Sequence, residues 1–127
     1  SMGGAVIVEA ARKMATSMFI KTSDPVLVER VASDMSLAPP NVGIGAGEEF
    51  INHNIAQALE KITVPVRYIC SDRGPFDLEA ARQHCSSFEV VFMSGVGHFV
   101  MIEDPATFNR LLDETVQEIV SHQKRAA

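Results

Sequence analysis

The stretch from Val64 to Met93 constrains this chain most. Val64-Pro65 opens an apolar run in which Val66, Tyr68 and Ile69 lead into Cys70, and it ends in the polar and turn residues Ser71-Asp72. An apolar run bounded by turn signals reads as a buried strand, placed here over 65–70. Gly74-Pro75 keep 71–77 as a loop, and Asp77 stands where it can cap a helix through Leu78, Ala81 and His84. Phe88-Glu89-Val90-Val91-Phe92-Met93 then forms a second strand over 88–93. A strand, helix, strand crossover lays the two strands parallel and right-handed. Such a pair is normally covered by helices on both faces.

The remaining patterns are helical. Residues 3–14 carry Ala5, Ile7, Val8, Ala10, Ala11 and Met14, with Arg12-Lys13 expected in a last turn where cations suit the helix dipole. Ser23-Asp24-Pro25 supplies an N-cap and a proline at the first helical position, so a second helix is expected over 25–36, with Val28, Val31 and Met35 at helical spacing. Leu37 to Asn41 breaks the pattern, and Phe50, Ile51, Ile55 and Leu59 form another stripe over 44–61. A closing helix from Pro105 to about His122 places Phe108, Leu111, Leu112, Val116, Ile119 and Val120 on the side that would cover one face of the sheet. Two parallel strands cannot enclose a core and leave an edge open on each side. The expected class is therefore α/β with an incomplete sheet, one partial domain organised as 1–15, 16–61 and 62–127. Pairing of strand edges between copies is a physical alternative to a larger sheet.

Composition narrows the chemistry. The 127 residues are 46% hydrophobic and 21% charged, which suits a globular unit rather than a disordered one. A formal net charge of -5, with cations scattered except at Lys124-Arg125, leaves no basic stripe for nucleic acid or anionic lipid. No apolar run approaches the roughly 20 residues that span a bilayer, and no secretory pattern opens the chain, so a cytoplasmic address is expected. Cys70 and Cys85 lack metal-ligand or C-x-x-C spacing and read as reduced, structural thiols. Gly43-Ile44-Gly45-Ala46-Gly47 follows no strand and lacks the lysine of a phosphate loop, so it reads as a flexible loop and helix start. No metal or cofactor is expected.

Gly95-Val96-Gly97-His98-Phe99 stands between the second strand and the helix opening at Asp104-Pro105. A histidine on a glycine-flanked turn at a strand end is presented to a cleft rather than packed away, which suits an acid-base role. His53, His84 and His122 fall on helix faces with no partner pattern and read as surface residues. Glu103-Asp104-Pro105 reads as helix capping and dipole complementation.

Residues 62–72, Ile-Thr-Val-Pro-Val-Arg-Tyr-Ile-Cys-Ser-Asp, followed by Gly95 to Pro105, resemble the C-terminal end of the α/β-hydrolase fold. In that family a "VPV" strand carries an acidic residue near its end and the next strand leads to the "GHF" histidine. Residues 16–61 look like the helical cap of such proteins. Ser1-Met2-Gly3-Gly4-Ala5 looks like the second half of the nucleophile elbow, G-x-S-x-G. Between Met14 and Met18 the family would have on the order of 40 further residues, so the chain resembles two pieces of one hydrolase joined directly.

The resemblance implies a serine hydrolase of esters or similar small apolar substrates, without a cofactor. Ser1 would be the nucleophile, His98 the general base and then acid, and Asp72 the carboxylate that orients His98. The Met2 N–H would be one oxyanion donor. Two points stay open: Ser1 is equally a leftover N-terminal residue, and the acid is Asp72, Asp77 or a residue outside this sequence. The second oxyanion donor of the family comes from a loop that is not among these residues, so the chain alone is expected to lack a complete active site. Met18, Phe19, Met35, Phe50 and Ile51 would line a hydrophobic substrate pocket or simply form core. A different class of reading is a non-catalytic fragment that binds or oligomerises through its strand edges.

Overall fold

The computed structural model describes residues 2–127. The chain divides between Asn54 and Ile55 into two compact units. The first contains helices α1 (Met2–Ser17), α2 (Pro25–Ser36) and α3 (Pro40–Asn52). The second contains α4 (Ile55–Glu60), β1 (Val66–Ser71), α5 (Leu78–His84), β2 (Phe88–Met93), α6 (Val100–Glu103) and α7 (Pro105–Ala126).

In the first unit α1 runs past its expected end at 14. Thr16 Oγ1 donates to the Arg12 carbonyl at 2.9 Å and Ser17 Oγ to the Met14 carbonyl at 2.7 Å, which satisfies acceptors of the extra turn. Arg12 and Lys13 consequently do not sit in the last turn. Arg12 Nη2 instead reaches both carboxylate oxygens of Glu29 on α2, at 2.7 and 2.8 Å, and Lys13 pairs with Glu9 one turn back. Exposed pairs of this kind contribute roughly 0–1 kcal/mol each, so packing carries the α1–α2 contact. Ala15, Val31 and Ala32 are buried there. At the start of α2 the sequence expectation holds: Asp24 accepts from the Val26 N–H at 2.8 Å, with Pro25 beside it.

The helix expected over 44–61 is two helices. α3 begins at Pro40, because a proline in the first turn brings a helical φ and lacks only an N–H that would have no intrahelical partner. The Gly43 to Gly47 segment, expected as a loop and helix start, therefore lies inside α3. His53 adopts an extended conformation, φ -74° and ψ 125°, which ends α3 before α4 begins. Asn52 and Asn54 flank it, and asparagine competes for backbone hydrogen bonds outside helices. Phe50 and Ile51 are 75% and 82% exposed rather than forming the expected core stripe.

In the second unit β1 and β2 form a two-stranded parallel sheet, as the crossover pattern predicted, with Val66 opposite Phe88 and Ser71 opposite Met93. β1 starts after Pro65, which has no N–H for a ladder. Because side chains alternate, Ile69, Ser71, Val91 and Met93 share one face. Over it lies the core: Met93, Val96 and Val100 are buried, with Ile69 and the α7 residues Phe108 and Leu111 packed against them. The opposite face carries Tyr68, Phe88 and, from the loop, Phe76, with ring centroids 5.2 to 6.5 Å apart. Phe88 is buried, but Tyr68 and Phe92 on that face remain 39% and 51% exposed.

α7 covers the sheet with a narrower stripe than its sequence suggests. Phe108, Leu111 and Thr115 face the strands, whereas Leu112, Val116 and Val120 are exposed, because a sheet of two strands offers room for only one row of the helix. The helix also continues past His122 to Ala126, placing Lys124 and Arg125 in its last turn, where they suit the dipole. His84, read from sequence as unpartnered, donates through Nδ1 to Glu60 Oε1 at 2.9 Å and joins α5 to α4.

Gly45 lies in the α3 interior with nothing within 4 Å of where a Cβ would stand. Gly45→Ala should therefore raise stability by about 0.5–1 kcal/mol through helix propensity alone. Urea unfolding measures this, and a loss of stability would contradict the helical assignment of the glycine-rich segment.

Candidate active site

The carboxyl ends of β1 and β2 emerge side by side, and the residues singled out at 72 and 98 follow them. The Asp72 N–H donates to the Met93 carbonyl at 3.1 Å, extending the ladder by one bond beyond β1. From Met93 the chain turns through Gly95, whose φ of +76° lies in the left-handed region. That conformation costs a non-glycine residue roughly 1–2 kcal/mol, so glycine is the residue suited to this corner.

The turn beyond Gly95 is held from three directions. Val96 and Val100 are 6% and 2% exposed and anchor it in the core. Ser71 Oγ donates to the Val96 carbonyl at 2.7 Å, and the Gly97 N–H donates to Glu103 Oε2 at 2.6 Å. His98 stands exposed between the two anchoring valines, its ring edge-on to Phe99 at 5.1 Å between centroids. The outcome is an imidazole displayed on a backbone whose neighbours are fixed. Histidine presentation, expected from the glycine flanks, follows from the burial of Val96, Gly97 and Val100 around an exposed His98.

Asp72 is exposed, and its Oδ2 accepts a hydrogen bond from Ser94 Oγ at 2.8 Å. No hydrogen bond joins Asp72 to His98. Asp77, the alternative acid, caps α5 by accepting from the Ala80 N–H at 2.9 Å. Ser1 lies outside the described residues, and Met2 is the first residue of α1. Of the four residues singled out as a site, the second unit therefore places Asp72 and His98 at one edge.

Two contributors escaped the sequence reading. Ser71 looked like the polar end of a strand, and Glu103 looked like part of a helix cap. Only Asp104 does the capping at the start of α7, accepting from the Thr107 N–H at 3.0 Å. The spacing of a glutamate one short helix after the glycine-histidine pair was the available signal, but it requires knowing that α6 folds the chain back.

Other chemistry is less developed. Both cysteines are free, Cys85 is buried, and partial burial holds the Cys70 thiol above its ordinary range, so it stays protonated at neutral pH. Among the described residues no three His, Cys, Asp or Glu side chains are grouped to hold a metal ion. No described helix is long and apolar enough to cross a membrane. Within the first unit a cavity of about 760 Å³ opens between α1, α2 and α3. Met18, Met35 and Phe50 line it, as the pocket expectation had them, while Phe19 and Ile51 do not. Every lining side chain is apolar, so the cavity has volume for a ligand but no polar side chain to orient one.

No family model, curated protein or solved structure matches this chain.

The Asp104 carboxyl is held below the usual carboxylate range by the Thr107 side chain and backbone N–H, with Arg110 adding to the effect against a small opposing cost of burial. A depressed folded-state pKa means the cap contributes fully above the unfolded-state value, about 4, and is lost as pH falls through the folded value. Thermal unfolding should accordingly separate wild type from Asp104→Ala at neutral pH, and the gap should begin to close only as pH falls below about 4 and narrow further through the lower folded-state value. A gap independent of pH would contradict the role of the ionised cap.

Proposed function

We propose that this chain carries the acid and base part of a serine hydrolase site of α/β-hydrolase type, acting on esters or similar small apolar substrates. One observation carries the reading. His98 is displayed on a glycine turn at the carboxyl end of β2, beside Asp72 at the carboxyl end of the adjacent parallel strand. Ligand sites of open α/β sheets lie at this end of the strands, where loops follow strands and side chains converge.

In the proposed chemistry a serine hydroxyl, for which the resemblance offers Ser1, attacks the ester carbonyl carbon while His98 takes its proton. His98 then returns that proton to the leaving alkoxide as the acyl-enzyme forms, and a water repeats the cycle to release the acid. Rotation of the exposed side chains that brings an Asp72 oxygen to the His98 Nδ1–H would fix the tautomer whose Nε2 accepts the serine proton. The resemblance offers the Met2 N–H as an oxyanion donor.

A second reading rests on a different feature. A sheet of two described strands has two outer edges, and Tyr68 and Phe92 stay exposed on one face, which suits a non-catalytic module that pairs with another copy.

Hydrolysis of a p-nitrophenyl ester separates the two. The hydrolase reading expects turnover by the wild type that falls about a thousandfold in His98→Ala. Equal rates in both proteins would overturn it, and a dimer in solution without turnover would favour the module.

A further inference from the structure

The geometry points to Glu103 as a positioning residue for His98. This rests on the hydrolase reading for what His98 does, but not for how His98 is held.

A histidine that shuttles protons must keep its ring within a few tenths of an ångström of its partners, and an exposed ring on a turn has little packing to achieve that. His98 has edge-on contact with Phe99 and, among the described residues, no side-chain hydrogen bond. Its position therefore depends on the backbone that leads into it. Behind it, Ser71 holds the Val96 carbonyl at 2.7 Å. Directly before it, the Gly97 N–H donates to Glu103 Oε2 at 2.6 Å.

Gly97 is buried, so its N–H is largely withdrawn from water and is best satisfied by an internal acceptor. A backbone carbonyl could serve, yet the chain supplies a carboxylate from the end of α6, and a charged acceptor strengthens such a bond. α6 is what makes this possible. Its single turn, with the Glu103 N–H donating to the Phe99 carbonyl at 3.0 Å, brings residue 103 back against residue 97. Glu103 thus closes a ring of chain around His98, and the peptide joining Val96 to Gly97, held at its carbonyl by Ser71 and at its N–H by Glu103, cannot rotate without breaking a bond. Asp104, one residue on, starts α7, so the same segment couples the turn to the helix that covers the core.

The test uses the whole chain with Glu103→Ala and Glu103→Gln. Loss of the acceptor in Glu103→Ala should speed Gly97 amide exchange about tenfold or more, because a hydrogen bond to a charged group is worth that much in local opening. The His98 imidazole carbon resonances should shift or broaden together with it. Glu103→Gln, which keeps a carbonyl oxygen at the same reach, should restore both. If ester turnover is present, Glu103→Ala should lower kcat about tenfold and leave KM unchanged. Should Glu103→Ala fail to fold, Glu103→Asp, shorter by one methylene, provides the same comparison. A fall in melting temperature with Gly97 exchange and His98 resonances unchanged would overturn the inference, because that is the signature of a residue serving the helix alone. Absence of ester turnover in the wild type would count against the hydrolase reading, while the exchange and resonance data would still decide the role of Glu103.

Discussion

The hydrogen bond from Ser71 Oγ to the Val96 carbonyl is the contact on which the candidate site depends. It ties the last residue of β1 to the turn leaving β2. Beside it the two strand ends are joined by the ladder bond from Asp72 to Met93 and by the exposed bond from Ser94 to Asp72. A parallel pair gives no help here, because its strands are joined by a distant crossover rather than a hairpin, and the loops at its carboxyl end are independent segments of chain. A side-chain bond across that gap makes them one structure.

Apolar burial supports the same corner from below. Met93, Val96 and Val100 enter the core under Phe108 and Leu111, and each fully buried side chain of this size contributes roughly 1.5–3 kcal/mol. Alternation then does the rest: with Val96 and Val100 pulled inward and Gly95 supplying the corner, His98 is directed outward. Polar groups that this burial takes from water find partners, since no buried side-chain nitrogen or oxygen among the described residues lacks one. A fixed turn and a displayed ring are thus consequences of the same packing.

What could be read from the sequence was whatever depends on neighbours along the chain. Asp24, Asp77 and Asp104 act as helix caps where their spacing indicated, and the strand, helix, strand unit folds as a parallel pair. What could not be read depends on residues that meet only in the fold. Arg12 turned from the helix dipole to Glu29 because α1 extends and α2 packs beside it. Leu112, Val116 and Val120 stayed exposed because the sheet is narrow, which periodicity cannot reveal. His84 found Glu60 across two helices. At the site, the glycine flanks of His98 were legible, whereas Ser71 and Glu103 carried no local mark of the turn they brace. The split of the 44–61 stripe reflects a local conflict, where apolar spacing favoured a continuous helix and Asn52-His53-Asn54 favoured leaving it.

The central claim is that Asp72 and His98 act together at the carboxyl edge of the sheet, and the protonation of the imidazole reads it most directly. Nitrogen chemical shifts of His98, measured at alkaline pH, distinguish the two neutral tautomers. A carboxylate accepting from Nδ1 predicts the Nδ1–H form in the wild type and a shift toward Nε2–H in Asp72→Asn. Wild type and variant with the same tautomer populations would show that Asp72 serves Ser94 alone, and the proposed site would lose its acid.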